Sequence, residues 1–230
     1  MIKKILSTLL VSSVLFVFAA TGSYAERPTL NLGISAAYGG YEGTGEEKEG
    51  AGSPQETHSK TVSGAFGYTS VFMEATFAER VTIGGSWMID AVETGLTERT
   101  DSSTSTSDTG NNSGTSSVKA EFSDLMTGYI EVNIWNGLYA KYGFMEMNME
   151  TKESLHTDSS YPDADLDGST YGLGWRGSFD NGVFIKTETM MQDWSDFTLQ
   201  ATGATGTDNN NSVSGSLSGA VATISIGRAF

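Results

Sequence analysis

The chain contains no cysteine among its 230 residues. Neither a disulfide framework nor a thiolate metal site can therefore hold its fold. Proline is almost as scarce, at 3 residues, whereas glycine reaches 28. Positive charge is also in short supply, because 13 Lys and Arg residues stand against 28 Asp and Glu residues. The formal net charge of −15 argues against binding of nucleic acid and against a basic membrane-surface patch.

Long apolar runs are missing as well. After the first 25 residues, no stretch approaches the ~18 apolar residues that a membrane-spanning helix requires. Residues 1–25 themselves have the features of a secretory signal peptide, with Lys3, Lys4, an apolar run over 11–20 and a small residue at Ala25. We expect cleavage after Ala25 and export of residues 26–230 as one domain. Loss of the two lysines changes the net charge from −15 to −17.

Eight stretches of the chain alternate apolar and polar residues with a period of two, which predicts β-strands. They are Leu30–Tyr41, Val62–Phe77, Val81–Val92, Val118–Asn133, Leu138–Met149, Ser169–Phe179, Val183–Gln192 and Ser216–Phe230. Three connections are tight, and two of these contain Asn-Gly turn signals. The other four are long and rich in Gly, Ser, Thr, Asn and Asp. The pattern predicts an up-and-down meander with both chain ends on the side of the short turns.

Alternation alone does not distinguish a soluble sandwich from a membrane barrel, because both give each strand one apolar face. Strands of this length exceed the roughly 5–6 residues typical of globular sheets and suit the ~9–11 residues that cross a bilayer at a tilt. Short turns on one side and long loops on the other are typical of outer-membrane barrels. Backbone groups in hydrocarbon must all be paired. The sequence therefore predicts an all-β, eight-stranded, antiparallel, up-and-down transmembrane β-barrel.

Aromatic residues are expected at both ends of this barrel, where they form the girdles of a membrane protein. The girdle on the short-turn side comprises Trp135, Phe179 and Phe230, and the girdle on the loop side comprises Tyr38, Tyr41, Trp87 and Trp194. In the last strand, Ile224, Ile226 and Phe230 are predicted to face lipid. Arg228 shares this face, and its position near the interface allows its guanidinium group to snorkel into water.

The eight amphipathic stretches and the closing sequence "ISIGRAF" resemble the small eight-stranded outer-membrane β-barrels of the OmpA/OmpX/OmpW type. The stretches "SVFMEATFAERVTIGGSW" and "GLYAKYGF" are similar to barrels predicted in marine alphaproteobacteria and their phages. The resemblance implies a monomer in the cell outer membrane, in contact with lipid and lipopolysaccharide. It also implies that Ile224, Ile226 and Phe230 form a signal that the barrel-assembly machinery reads.

The inward faces of the predicted strands carry charges of both signs. The inward charges are Glu74, Asp90, Lys119, Glu121, Glu131, Lys141, Arg176, Lys186 and Glu188. The interior of an eight-stranded barrel is just wide enough for side chains to fill it, and buried charges must be paired. We therefore expect a lumen plugged by paired charges, in a barrel with a structural or surface role and four long acidic external loops. A narrow passive channel for ions or small solutes is the alternative, and a membrane-embedded hydrolase is a third hypothesis.

Two further motifs give little support to catalysis. The sequence "GLGWRG" has Gly172, Gly174 and Gly177 at the spacing of a dinucleotide-binding loop, but it lies within a predicted strand and no helix follows to receive a phosphate. We interpret these glycines as making room for large neighbouring side chains. His58 and His156 fall in long loops, and neither G-x-S-x-G nor H-E-x-x-H occurs. We therefore expect no enzyme activity.

The sequence "DADLDG" is the one candidate for a metal site. Asp163, Asp165 and Asp167 followed by glycine resemble the first half of a calcium-binding loop. The glutamate that completes such a loop at its twelfth position is missing, because Gly174 stands there. Ca²⁺ at these three carboxylates is therefore the one cofactor that the sequence suggests.

Overall fold

The computed structural model describes residues 28–49, 56–94, 97–103, 112–154, 160–202 and 211–230. The predicted signal peptide lies outside the described residues, as does His156, so cleavage after Ala25 stays a prediction. No helix within these ranges is both long and apolar enough to cross a membrane.

Eleven strands form one sheet. They are β1 (Thr29–Glu49), β2 (Glu56–Phe77), β3 (Val81–Met88), β4 (Val92–Glu93), β5 (Thr97–Ser103), β6 (Asn112–Trp135), β7 (Leu138–Ser154), β8 (Ala164–Ser178), β9 (Val183–Trp194), β10 (Phe197–Gln200) and β11 (Ser212–Ala229). Short strands β4 and β5 follow β3 along the edge of β6, and β10 follows β9 along β11. The sheet therefore contains eight strand positions.

The sheet closes on itself. Neighbours follow the order β1-β2-β3-β6-β7-β8-β9-β11, and β11 pairs in turn with β1 from Asn31↔Ala229 to Lys48↔Ser212. Every one of these pairings is antiparallel. The predicted eight-stranded, up-and-down β-barrel is confirmed.

The two ends of the barrel differ. The short-turn end holds the turns at 77–80, 135–138 and 179–182, together with the start of β1 and the end of β11, where the Phe230 N–H donates to the Leu30 carbonyl oxygen at 2.8 Å. The opposite, long-strand end is formed by strands that extend well past the predicted boundaries, since β1 and β2 pair as far as Glu49↔Glu56. These extensions are rich in Gly, Ser, Thr and Glu. They carry no alternating apolar face, but their backbone groups still pair as strands.

Between the two ends, the barrel exterior is apolar. Exposed side chains on alternate residues form the apolar belt, which includes Leu32, Ile34, Val71, Ile83, Ile130, Val132, Leu173, Ile224 and Ile226. A protein surrounded by water rarely exposes a continuous apolar surface of this kind, whereas the outer face of a membrane barrel is apolar because hydrocarbon covers it. The belt therefore faces lipid.

The predicted aromatic girdles are correct at one end and partly wrong at the other. The short-turn end exposes the three predicted rings, Trp135, Phe179 and Phe230. At the long-strand end Tyr38 is exposed, but Tyr41 and Trp194 face the interior. Tyr41 lies three residues after Tyr38 and therefore falls on the opposite face of β1. The exterior positions at this end carry Phe144 and Tyr171 instead.

A β-bulge in β6 reverses the faces of the first half of that strand. At Asp124, which has a φ of 56°, two residues of β6 stand opposite one residue of β7. The extra residue shifts the alternation by one position. Phe122 therefore packs against the interior cluster, whereas Lys119 and Glu121 pair with charges outside the barrel. Both charges were predicted to face the lumen from an uninterrupted alternation, and that prediction is wrong.

The turn between β2 and β3 predicts a stabilising substitution. Ala78 and Glu79 have positive φ values of 46° and 56°, although neither is glycine, and the Arg80 N–H closes the turn on the Phe77 carbonyl oxygen at 2.9 Å. Two successive positive φ values are typical of a type I′ turn, for which Asn-Gly is best suited. We expect Ala78→Asn with Glu79→Gly to raise the free energy of unfolding by about 1–2 kcal/mol.

Urea unfolding of the barrel in lipid vesicles measures this effect. The turn between β6 and β7 offers the reverse control, because Asn136 and Gly137 already occupy positive φ there. Asn136→Ala is expected to lower the unfolding midpoint, and Gly137 is left in place because a Cβ atom there would come within 2.3 Å of the Arg176 carbonyl oxygen. An unchanged or lower midpoint for the Asn-Gly variant of the first turn would show that this turn is not strained.

Candidate functional site: a charged cluster inside the barrel

Lys186 of β9 lies at the centre of the barrel interior. Its ammonium group donates to Oε1 of Glu74 on β2 at 2.5 Å and to Oε1 of Glu131 on β6 at 2.6 Å, and Oε1 of Glu188 lies 3.6 Å away. Only 2% of the lysine side chain is exposed. Two strands separate β2 from β9 in one direction round the ring and four separate them in the other. The ion pairs therefore cross the interior.

A second cation, Lys141 of β7, connects two of the same carboxylates. Its Nζ lies 2.9 Å from Oε1 of Glu188 and 3.5 Å from Oε1 of Glu131. The ammonium group also sits 3.7 Å above the centre of the Tyr129 ring, in cation–π geometry. Lys141 and Lys186 thus share Glu131 and Glu188 between them.

Arg176 of β8 extends the cluster towards the short-turn end. Its Nη1 lies 3.8 Å from Oε2 of Glu74, its Nη2 donates to Oδ1 of Asn31 at 3.0 Å, and its guanidinium group stacks 3.7 Å from the centre of the Phe184 ring. The lumenal charge cluster, which we define as Glu74, Glu131, Lys141, Arg176, Lys186 and Glu188, therefore contains three carboxylates and three cations. Its formal charge is balanced.

Two tyrosine hydroxyl groups complete the hydrogen bonding of the carboxylates. Tyr129 donates to Oε1 of Glu74 at 2.8 Å, and Tyr139 donates to Oε1 of Glu188 at 2.7 Å. The Tyr139 ring can occupy this place only because it lies against Gly174, where a Cβ atom would come within 2.4 Å of the ring. Two glycines of "GLGWRG" therefore leave room for large side chains, as the sequence suggested, since a Cβ atom at Gly177 would likewise meet the Trp175 ring at 2.3 Å. At Gly172 a Cβ atom would first meet the Thr189 carbonyl oxygen instead.

One carboxylate oxygen in the cluster is less well satisfied. Oε2 of Glu74 is buried and has no hydrogen-bond partner among the described residues, and Nη1 of Arg176 lies 3.8 Å from it. A buried charge in a medium of low polarity is stable only while its counter-charges remain in place. The cluster can therefore hold fixed charge across the lumen, but the loss of any one cation would leave carboxylates uncompensated.

A second layer of side chains fills the interior towards the long-strand end, and it is apolar. The interior apolar cluster contains the buried residues Leu125, Met145, Met147, Met149, Leu166 and Leu199. Sequence reasoning missed this layer, although the inward alternation of β7 that places Lys141 inside also places Met145, Met147 and Met149 inside.

Cavities of different size accompany the two layers. A cavity of about 550 Å³ at the short-turn end touches Glu131 and Arg176. A much smaller one, of about 50 Å³, touches Lys186 and Met145. A third, of about 130 Å³, lies within the apolar layer next to Met147.

The structure brings together six of the nine predicted lumenal charges, those of the lumenal charge cluster. It places Asp90, Lys119 and Glu121 elsewhere. Asp90 is exposed and accepts a hydrogen bond from Thr69 on the exterior, because β3 ends at Met88 and the alternation stops there. The partners that sequence reasoning missed, Tyr129 and Tyr139, lie on the inward faces of β6 and β7. Their alternation could have revealed them.

Lys119 and Glu121 belong to an ion-pair group on the outside of the long-strand end. Lys119 donates to Glu93, Lys152 donates to Glu121, and Nζ of Lys152 lies 3.8 Å from Oε1 of Glu93. The hydrogen bond from Lys119 lowers the pKa of Glu93, and the hydrogen bond to Glu121 raises the pKa of Lys152. These groups are exposed to water, so their pairing contributes little to stability.

The candidate calcium residues do not form a compact loop. Asp165 and Asp167 lie on β8 itself, and Asp163, just before it, accepts a hydrogen bond from the Thr151 N–H at 3.2 Å. Within the described ranges, no group of three or more His, Cys, Asp or Glu side chains is arranged to hold a metal ion. Calcium binding stays a prediction. His58, which the sequence predicts in a loop, lies on β2 opposite Glu47.

Comparison with solved structures identifies the architecture. The chain superposes on the outer membrane protein OprG from Pseudomonas aeruginosa with a TM-score of 0.58 and 10% sequence identity, covering 88% of this chain and 96% of that chain. This is the fold of an outer-membrane β-barrel. The outer membrane protease OmpT from Escherichia coli (TM-score 0.45, 8% identity, 92% and 100% covered) and Neisserial surface protein A (0.34, 8%, 84% and 95%) are more distant matches. No protein-family model and no curated protein sequence matches the chain.

Removal of the central cation is expected to destabilise the barrel strongly. Lys186→Met keeps the length of the side chain but leaves Glu74, Glu131 and Glu188 with one cation fewer among them. The expected loss in free energy of unfolding is about 3–5 kcal/mol, measured by urea titration in lipid vesicles. Lys119→Met removes an exposed ion pair and is the matched control, for which we expect a much smaller change. Equal effects of the two substitutions would contradict a central role for Lys186.

Proposed function

We propose that the protein is a closed outer-membrane barrel with a structural and surface role. The observation that carries this proposal is the filling of the interior by two successive layers, the lumenal charge cluster and the interior apolar cluster. The short-turn end would face the periplasm and the long-strand end the outside, as is usual for barrels with this asymmetry.

The charged layer supports closure because its ions neutralise one another. A conducting pore of this width needs water around mobile ions, whereas here fixed ammonium and carboxylate groups bind each other across the lumen. The cavity next to Lys186, at about 50 Å³, has room for only a few water molecules. Towards the long-strand end, a permeating ion would next meet the interior apolar cluster. This cluster contains few groups that could replace the water of hydration of the ion.

A surface role is supported by the length of the strands at the other end. β1, β2 and β6 contain 21, 22 and 24 residues, well above the ~9–11 that cross a bilayer. Their ends therefore project beyond the apolar belt. The projecting part of β1 carries Glu42, Glu46 and Glu47, so the protein would present an acidic surface to the outside.

A monomeric barrel in the outer membrane would contact lipid and lipopolysaccharide. At the short-turn end, the Arg228 guanidinium group lies 5.5 Å from the centre of the Phe230 ring. An arginine beside an exposed aromatic ring suits the membrane interface. Ile224, Ile226 and Phe230 all lie on the exterior, where the barrel-assembly machinery could contact them, and their role as an assembly signal stays a prediction.

Planar-bilayer recording of the refolded protein tests the proposal. We expect no steady single-channel openings, and the same silence from Lys119→Ser with Glu93→Ser, in which only ion pairs on the exterior are lost. Insertion is checked separately, since a folded barrel migrates differently on a gel before and after boiling. Steady openings of the inserted wild-type protein would contradict closure and favour the narrow passive channel.

A further inference from the structure

One edge of β2 is unpaired at the long-strand end. On its other side, β2 pairs with β1 over nearly its whole length. The pairing with β3 extends only to Ser70↔Met88, and the next strand along the chain, β4, pairs with β6 rather than with β2. Among the described residues, no strand therefore pairs with the edge of β2 that runs from Glu56 to Tyr68.

The backbone groups that point to this open edge belong to alternate residues. In an antiparallel ladder, the N–H and C=O groups of one residue point to the same side of the strand, and those of the next residue point to the other side. The Thr69 carbonyl oxygen accepts from the Ile89 N–H at 3.0 Å, on the side away from β1. The register with β1 is continuous, so every second residue before Thr69 also points away from β1. Within 57–65, these open-edge residues are Thr57, Ser59, Thr61, Ser63 and Ala65.

The open edge lacks two devices that commonly protect an exposed strand. Proline and β-bulges hinder pairing with other chains, and β2 contains neither. The open-edge residues are exposed and have small side chains, which leave their backbone groups accessible. A row of unpaired N–H and C=O groups of this kind can pair with an added strand.

The open edge projects into water. Where it meets the barrel, Thr69 donates a hydrogen bond to the exposed carboxylate of Asp90. Carboxylates lie near the interface or in water rather than in hydrocarbon, so the residues of β2 beyond Thr69 stand outside the membrane. Water can therefore solvate the edge while it has no partner, and a partner can reach it from the aqueous side.

The two faces beside the edge specify what an added strand must carry. On the inward face, Val62 is 45% exposed, and Phe66 lines the cavity of about 130 Å³. On the outward face, Glu42 of β1 is exposed and lies opposite Ser63, and neither Glu42 nor Asp90 forms an ion pair within the described ranges. Apolar side chains suit the inward face and basic side chains suit the outward one.

We propose that the open edge of β2 binds an extended peptide segment of another protein as an added antiparallel strand, in which basic residues on the outer face alternate with apolar residues on the inner face. A basic side chain can reach Glu42 over the small side chain of Ser63. A second copy of this chain fits the edge less well, because its own projecting part is acidic. The proposal rests on the surface role proposed above, for which it names the class of partner.

Fluorescence anisotropy with a labelled peptide of about nine residues, in which Lys and Val alternate, tests the proposal on the refolded barrel in lipid nanodiscs. In antiparallel addition the lysines stand opposite the open-edge residues, so their own N–H groups point to β2. N-methylation of the lysine residues should weaken binding at least about tenfold, because it removes these donors. The matched control carries the same number of N-methyl groups on the valines, whose N–H groups point away, and should bind within about twofold of the parent peptide.

A pair of barrel variants tests the same edge from the other side. Thr61→Pro removes one N–H from the open edge, and proline is tolerated there because β1 does not use that N–H. The variant should still show the gel shift of a folded barrel and should bind the peptide at least about tenfold more weakly. Thr61→Val keeps the N–H and should bind like the wild type.

Amide hydrogen exchange of the wild-type barrel, followed residue by residue, distinguishes the other occupants of the edge. The amides of the open-edge residues should exchange faster than those of Val62 and Gly64, which point to β1, and the peptide should slow them. Slow exchange in the free protein would show that the chain itself covers the edge, and protection that grows with protein concentration would show a second copy. Either result, or equal binding of the two methylated peptides, would overturn the proposal. None of these outcomes depends on whether the lumen conducts, so the closed barrel is tested separately.

Discussion

A lysine that is closed off from water keeps its positive charge only where carboxylates surround it, and this constraint on Lys186 organises the barrel interior. The ammonium group draws in Glu74 from β2 and Glu131 from β6 at hydrogen-bond distance. Further cations are then needed to balance the carboxylates, and Lys141 and Arg176 provide them. Because Lys186 takes these partners from strands that are not its neighbours, the cluster crosses the lumen and balances the charge there.

The backbone and the exterior of the barrel meet a second constraint, which is set by the surrounding hydrocarbon. Every strand edge must be paired before the chain can lie in hydrocarbon, and the β1–β11 ladder removes the last two edges. The same alternation that points Lys186 and Glu188 inward points Thr187 and Ile185 outward. The polar interior and the apolar belt are therefore two consequences of one pattern, and neither could form without closure of the ring.

Most of the architecture could be predicted from the sequence because the strand period is strict. The inward and outward faces of β1, β9 and β11 follow directly from it. Two features could not be predicted. The bulge at Asp124 has no apolar signature, and it turned Lys119 and Glu121 outward. Which lumenal charges meet depends on the register between strands, so the sequence suggested that Lys186 is paired but not that Glu74 and Glu131 are its partners.

The most direct test of this account is the coupling energy between Lys186 and Glu74, measured by a double-mutant cycle on urea unfolding in lipid vesicles. Lys186→Met and Glu74→Gln each leave a charge without its partner, whereas the double variant removes both. We expect the double variant to be more stable than the sum of the two single losses implies, by about 2 kcal/mol or more. Additive losses, with no coupling beyond error, would contradict the central place of this ion pair.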